Sequence, residues 1–308
     1  MVERFRADLE RLRPGSERLG LAVSGGPDSM AMLLLAYAAM PGRIEAATVD
    51  HGLRPESAGE AALVSHLCAE LGVSHTTLDV DVPDGNVQDQ ARRARYAALE
   101  DWARGRGLVA VLTAHHADDQ AETLLMRLNR ASGVAGLAGV RARTVVPESD
   151  LALLRPLLGW RRAELQAVLD AAGIVAVRDP SNADERFDRV RIRQALAGAD
   201  WLDAAALAQS AEHFADADEA LDWAAEREWE EGVDALESGY LYRPGAPRAI
   251  RLRILARAVG LLGGAPRGGA LALLDDALVR GSAANCGGVV GRSTADGWLL
   301  ESEPPRRS

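Results

Sequence analysis

The sequence predicts an α/β protein: a parallel sheet with helices on both faces, followed by a smaller, mainly helical C-terminal domain. Short apolar runs at 19–23, 43–50, 73–80 and 108–114 each precede a helix-like stretch, an alternation that calls for parallel strands joined by crossover helices. Three of those runs end in polar or glycine-bearing turns, Ser24-Gly25-Gly26, Asp50-His51-Gly52 and Thr113-Ala114-His115-His116. Ligands of open parallel sheets gather at such strand ends, so the arrangement is Rossmann-like. Beyond residue 200 the pattern changes to helical amphipathicity.

Each element has its own signal. The first strand runs into Ser24-Gly25-Gly26-Pro27-Asp28-Ser29 and then a helical apolar stretch from Met30 to Met40, too short to span a bilayer. Asn86 reads as the N-cap of a helix reaching about Arg104, with Val87, Ala91, Ala94, Ala98 and Trp102 on its apolar face. Arg92 and Arg95 lie one turn apart on its polar side. After the fourth strand, His115, Asp118 and Glu122 are spaced to project from one face of a helix start, with Asp119 a step around.

Past Gly139 the pattern loosens through Arg155-Pro156-Leu157-Leu158, a helix near 161–172 and the turn Asp179-Pro180-Ser181-Asn182. A basic helix over 186–196 closes a first domain expected to cover 1–199, leaving 200–308 as the second. There, Phe214, Ala217, Leu221 and Ala224 share one helical face, and Glu212, Asp216, Glu219, Glu226 and Glu230 another. Pro247 opens a further helix that stops at Gly263-Gly264. Val289-Val290 and Trp298-Leu299-Leu300 flank Asp296-Gly297 as a hairpin.

Composition narrows the setting. The chain has 308 residues, 48% hydrophobic and 26% charged, which is ordinary for a soluble globular protein. The charged start, Met1-Val2-Glu3-Arg4-Phe5-Arg6, lacks the apolar core of a secretory leader. Cys68 and Cys286 are far apart and form no CxxC, so a reducing cytoplasm is expected, with both thiols buried and structural. The net charge is −10, yet Trp201 to Tyr240 holds twelve acidic residues against Arg227 alone, and the remainder is nearly neutral. There is no lysine, so every side-chain cation that is not a histidine is an arginine.

The glycine-rich turn is the first candidate site. A strand-to-helix seam presents free N–H groups where the helix dipole favours anions. A Walker A loop needs a lysine, which this chain lacks, and a dinucleotide fingerprint needs GxGxxG. An anion cradle with a carboxylate remains, suited to a nucleotide pyrophosphate and Mg²⁺. A tight turn capped by Asp28 or Ser29 is the simpler alternative.

SGGPDS after a first strand resembles the signature of PP-loop (N-type) ATP pyrophosphatases, which share a HUP-like fold. "VDHGLRPES" from Val49, "ARRARY" from Ala91, "TAHHADDQAETLLMRL" from Thr113, "RPLL" from Arg155 and "DPSNADERFDRVRIR" from Asp179 narrow the resemblance to the tRNA(Ile)-lysidine synthetase family, in its short form. The resemblance implies a ligase that adenylates the C2 oxygen of the wobble cytidine in a CAU anticodon with ATP. The ε-amine of free lysine then displaces AMP.

On that resemblance Ser24, Gly25, Gly26, Pro27, Asp28 and Ser29 hold ATP, with Asp28 also the Mg²⁺ contact, and Asp50 and His51 face the adenosine. His115, Asp118, Asp119 and Glu122 join Asp28 as catalytic candidates, the carboxylates of that helix start placed to hold the lysine ammonium and accept its proton, with helix capping by Asp118 and Asp119 the simpler alternative. His116 reads equally well as structural. Arg92, Arg95, Arg130, Arg189, Arg191 and Arg193 are candidates for tRNA or ATP phosphates. No membrane partner is expected.

Three positions depart from the family's pattern: Val190 where asparagine is common, Arg178 where an acid is common, and Ala131 where glycine is usual. The alternatives are a tRNA thiolation enzyme of the same superfamily, which usually needs a CxxC pair or an iron–sulfur cluster, and a nucleotide-binding module without catalysis.

Overall fold

The computed structural model describes residues 1–52, 57–81, 87–147, 149–177, 188–266 and 269–303, with the side chains of 87–89 also left aside. Asn86, Val87's side chain, the Asp179-Pro180-Ser181-Asn182 turn and the start of the basic helix therefore lie outside the described residues. The chain forms two compact units, Met1–Ala215 and Asp216–Ser308. Their division falls within one long helix, beyond the boundary expected near residue 200.

The first unit runs α1 (Val2–Leu12), β1 (Leu19–Ala22), α2 (Pro27–Ala39), β2 (Ile44–Asp50), α3 (Ser57–Leu71), β3 (Ser74–Asp79), α4 (Val87–Gly105), β4 (Ala110–Leu112) and α5 (Ala117–Leu128). It continues with α6 (Val134–Leu137), β5 (Arg143–Val145), β6 (Ala152–Leu154), α7 (Arg162–Ala172), α8 (Asp188–Ala197) and the start of α9 (Ala204–Gly232). The sheet has six strands in the order β3-β2-β1-β4-β6-β5, all parallel except the antiparallel edge pair β5–β6. The four anticipated strands are β1 to β4. The other two, three residues each, are not among the strands anticipated, and length alone does not account for this, since β4 is as short.

Side chains alternate along the strands. Leu19 and Leu21 of β1, Ala110 and Leu112 of β4, and Ala152 and Leu154 of β6 join Met30, Leu33, Leu35, Phe5 and Leu165 in one core. Val111 and Leu153 face the other way, onto Tyr96, Leu99, Trp102 and Ala103 of α4. The stripe α4 buries is thus centred on Tyr96, Leu99 and Ala103, with Ala91, Ala94 and Ala98 only partly covered. Aromatic bulk, rather than alanine spacing, decides which face turns inward. Gly20 is required here: a Cβ on it would stand 2.7 Å from the Trp102 ring.

The strand order places the topological switch between β1 and β4, the two strands from which the chain departs in opposite directions. In open α/β sheets ligands bind outside the carboxyl ends of the strands at such a point. The turns after β1 and β4 are therefore neighbours.

Ala131, just past the end of α5, has φ +51°, the left-handed region that costs an L-residue about 1–2 kcal/mol. This accounts for the glycine expected at that position. Ala131→Gly relieves that strain but loosens the unfolded chain by about 0.4–1 kcal/mol, so a net gain of roughly 0.5 kcal/mol is expected. A raised urea midpoint would bear this out, and a lowered one would contradict it. Val190, the other described departure, is buried on α8.

The second unit holds the rest of α9, then β7 (Val233–Leu236), β8 (Gly239–Tyr242), α10 (Arg248–Leu261), α11 (Ala270–Val279), β9 (Ala284–Cys286), β10 (Val289–Thr294) and β11 (Gly297–Ser302). α9 and α10 are as anticipated, with Pro247 the N-cap of α10, and α11 is an addition. Beside them lies an antiparallel sheet, β7-β8-β11-β10-β9, of which only the β10–β11 hairpin is legible in the sequence.

The acidic segment finds its counter-charges on α10. Arg253 bonds Asp218 at 2.5 Å and Asp222 at 2.9 Å, and Arg257 bonds Glu226 at 2.6 Å. Ala217 is exposed and Asp218 takes the buried place next to it, a reversal of the expected face that Arg253 makes tolerable. Cys68 and Cys286 are both buried free thiols, and burial pushes Cys68 up to about 11. Among the described residues no helix is long and apolar enough to cross a membrane.

Candidate active site

The turn after β1 is built to leave donors unoccupied. Gly25 has φ +82°, a conformation that favours glycine, and extended Gly26 is the N-cap of α2 with no side chain capping it. Pro27, at the first helical position, has no N–H to lose. The buried Ser29 hydroxyl donates to Gly26 O at 2.9 Å and accepts from Ser24 N at 3.1 Å, so it braces the turn. Ser24 is exposed, its hydroxyl 3.3 Å from Ser29 Oγ. Neither Asp28 nor Ser29 is the cap of the simpler alternative.

Asp28 stands at the same helix start. Its Oδ1 is buried without a hydrogen-bond partner among the described residues. Its Oδ2 lies 3.3 Å from His116 Nε2, so the turn after β1 meets the turn after β4.

His116 is the centre of the cluster. It caps α5, its backbone N–H donating to Asp119 Oδ2 at 3.0 Å. Its fully buried ring faces three carboxylates: Asp28, Asp118 at 3.4 Å from Nδ1, and Asp119 at 3.6 Å from Nε2. Burial alone would lower its pKa, but the close approach of Asp118 and Asp28 and the charge of Asp119 raise it to about 9. Burial works against the Asp118 carboxylate too, yet His116 and the Arg162 backbone N–H at 2.8 Å hold it at about 2.

His115, by contrast, precedes the helix and lies 3.0 Å from Thr113 Oγ1 through Nδ1. Burial, with nearby Arg155, Arg189 and Arg92 outweighing Asp119, depresses it to about 4. The shared helical face expected for His115, Asp118 and Glu122 therefore does not form. The signal that could have corrected it is the spacing of His116 and Asp119, a capping-box spacing that starts the helix at Ala117.

The folded pKa of His116 exceeds the ordinary value of 6.5. Stability from this contact is therefore complete below about pH 6.5 and is lost as pH rises through about 9. Denaturant titration of wild type against His116→Gln should show a gap on the order of 2–3 kcal/mol near pH 6 that closes by about pH 9.5. A gap constant across that range would contradict the assignment.

Glu122, buried on α5, is tied to α8: Arg189 Nε at 2.7 Å, Arg193 Nε at 2.6 Å and Nη2 at 3.1 Å. Arg189 also donates to Asp119 Oδ1 at 2.6 Å. These two arginines, candidates for RNA phosphates by sequence, here pin α8 onto α5. Arg130 and Arg191 both pair with Asp188. Arg92 and Arg95 remain exposed, their guanidiniums 5.0 and 5.5 Å from the Tyr96 ring centre. Asp50 Oδ1 accepts from Ser57 Oγ at 2.6 Å and Gly52 N at 2.9 Å, which lowers its pKa and fixes the turn carrying half-buried His51.

Residues 1–199 match the family model described as a PP-loop domain. The tRNA(Ile)-lysidine synthase of Novosphingobium aromaticivorans is 51% identical, the alignment covering 100% of this chain and 95% of that protein. That of Zymomonas mobilis subsp. mobilis is 39% identical over 96% of this chain and 91% of its own. Among solved structures, the U34-tRNA thiolase NcsA from Methanococcus maripaludis, with its 4Fe-4S cluster, has a similar fold. Its TM-score is 0.56 at 13% identity, covering 77% of this chain and 82% of that one.

Proposed function

The chain belongs to the tRNA(Ile)-lysidine synthase family and carries its PP-loop domain, and from that premise we propose how its residues divide the reaction. It is an ATP-using enzyme that modifies tRNA(Ile). The cosubstrate is free lysine, the target is the wobble cytidine of a CAU anticodon, and the work is done in the cytoplasm. In the first step cytidine O2 bonds to the α-phosphorus and pyrophosphate leaves. In the second the ε-amine bonds to C2, the C2–O bond breaks and AMP leaves.

One observation carries the assignment: an uncapped helix start and a carboxylate with an orphaned oxygen sit together at the switch point, in contact with the His116 cluster. The amides of the turn and the Ser24 hydroxyl take the β and γ oxygens, where charge grows as pyrophosphate departs. The orphaned Asp28 Oδ1 fits Mg²⁺, which commonly rests on one or two carboxylates plus substrate phosphates. When bound there, the ion supplies charge neutralisation for the leaving group.

Asp119 and Glu122 already hold guanidinium groups, so the same carboxylates suit the lysine ammonium. A carboxylate held near 2 is a poor base. Asp118 therefore serves to fix His116 and the start of α7.

Incubation with ATP, Mg²⁺, lysine and CAU-anticodon tRNA(Ile), followed by mass spectrometry of the nucleosides, tests this reading. A cytidine heavier by a lysine supports it. A sulfur gain would favour thiolation, which two buried, separate cysteines serve poorly. An unmodified tRNA would leave only nucleotide binding.

A further inference from the structure

Arg155 directly follows β6 at the carboxyl end of the sheet and is 5% exposed. Its Nη1 donates to the Arg141 carbonyl at 2.6 Å, the Tyr96 side chain lies beside its charge, and Nε has no hydrogen-bond partner among the described residues. Among the described residues no carboxylate pairs with it, nor with Arg92 or Arg95, whose guanidiniums lie over the same Tyr96 ring. A buried cation left without a counter-charge is strongly unfavourable. Elsewhere the molecule avoids this: buried Asp218, Asp275 and Glu122 each have arginine partners. The charges of Arg155 and Arg92 also act on His115, so the cluster adjoins the active site.

We propose that Arg155 is a substrate-binding residue whose guanidinium takes an oxyanion of an incoming substrate, either the carboxylate of the free amino acid or a phosphate of the RNA. This rests on the function proposed above. Tyr96 orients the guanidinium from one side, and Arg92 and Arg95 keep the approach cationic. The missing counter-charge arrives with the substrate.

The test compares wild type with Arg155→Met and Arg155→Lys, measuring thermal midpoints and KM for lysine and for tRNA. A charge-assisted hydrogen bond of about 1.5–3 kcal/mol corresponds to a rise in KM of about ten- to hundredfold. In Arg155→Met one of the two KM values should rise by at least about tenfold, with the midpoint equal to or above wild type, since a buried methionine removes an unpaired charge. Arg155→Lys should recover part of the affinity and serves in place of the methionine variant should that fail to fold.

Cadaverine, which is lysine without its carboxylate, separates the two sources. If the oxyanion is the carboxylate, its turnover is insensitive to Arg155→Met. If the oxyanion is a phosphate, cadaverine and lysine suffer alike. Both KM values within threefold of wild type would overturn the proposal, and Arg155 would then be structural. A wild-type enzyme that makes no lysidine would instead overturn the parent reading.

Discussion

Asp28→Ala is expected to abolish AMP formation while leaving the unfolding midpoint within a degree or two of wild type. Asp28 is only half-buried, and its Oδ1 gives up no bond when the carboxylate is removed. The folded state loses one long contact, Oδ2 to His116 at 3.3 Å, and His116 keeps Asp118 and Asp119. The reaction loses more. Removing a group that stabilises developing charge typically costs about 10²–10³ in rate, and here the same carboxylate is also the proposed metal contact. Pyrophosphate release in the presence of tRNA and lysine reads the effect. Turnover within tenfold of wild type would remove Asp28 from the mechanism.

Glu122→Ala is expected to cost both stability and activity. Glu122 is 1% exposed and neutralises Arg189 and Arg193, which α8 delivers to it. Breaking a buried pair from one side costs about 3–5 kcal/mol because a cation is stranded. Arg189 and Arg193 are only partly buried and can turn toward water, so about 3 kcal/mol is the appropriate size. Glu122→Gln keeps acceptor and shape and should lose less. A triple variant that also replaces Arg189 and Arg193 with alanine should regain part of the stability lost in Glu122→Ala, since neither arginine is then stranded, while Asp119 loses its Arg189 partner. Urea denaturation distinguishes these cases, and equal midpoints for all variants would show that α8 is not anchored through Glu122.

What was legible in the sequence follows from physical scale. Four strands and the helices between them declared themselves as apolar runs alternating with helical stretches, and the β1 turn by its composition. β5 and β6, and most of the second sheet, did not, because they stand outside that alternation and are specified by the strands they pair with.

The candidate site divides in the same way. Asp28, Asp118, Asp119 and Glu122 were visible because acids at a helix start after a strand are a local pattern. That His116 and not His115 joins them depends on where α5 begins, a matter of one residue. That Glu122 is met by Arg189 and Arg193 depends on a contact across 67 and 71 residues of sequence. The acidic stretch of α9 was unexplained for the same reason, its partners Arg253 and Arg257 lying more than 30 residues away on α10.

The central claim is that the turn after β1 grips the triphosphate of ATP and presents its innermost phosphorus to a nucleobase oxygen. A crystal structure with a non-hydrolysable ATP analogue and Mg²⁺ tests this most directly. The account predicts the β and γ phosphates against the amides of Gly25 and Gly26 and the Ser24 hydroxyl, with the metal on Asp28. An analogue bound elsewhere, with that turn empty and Asp28 free of metal, would contradict it.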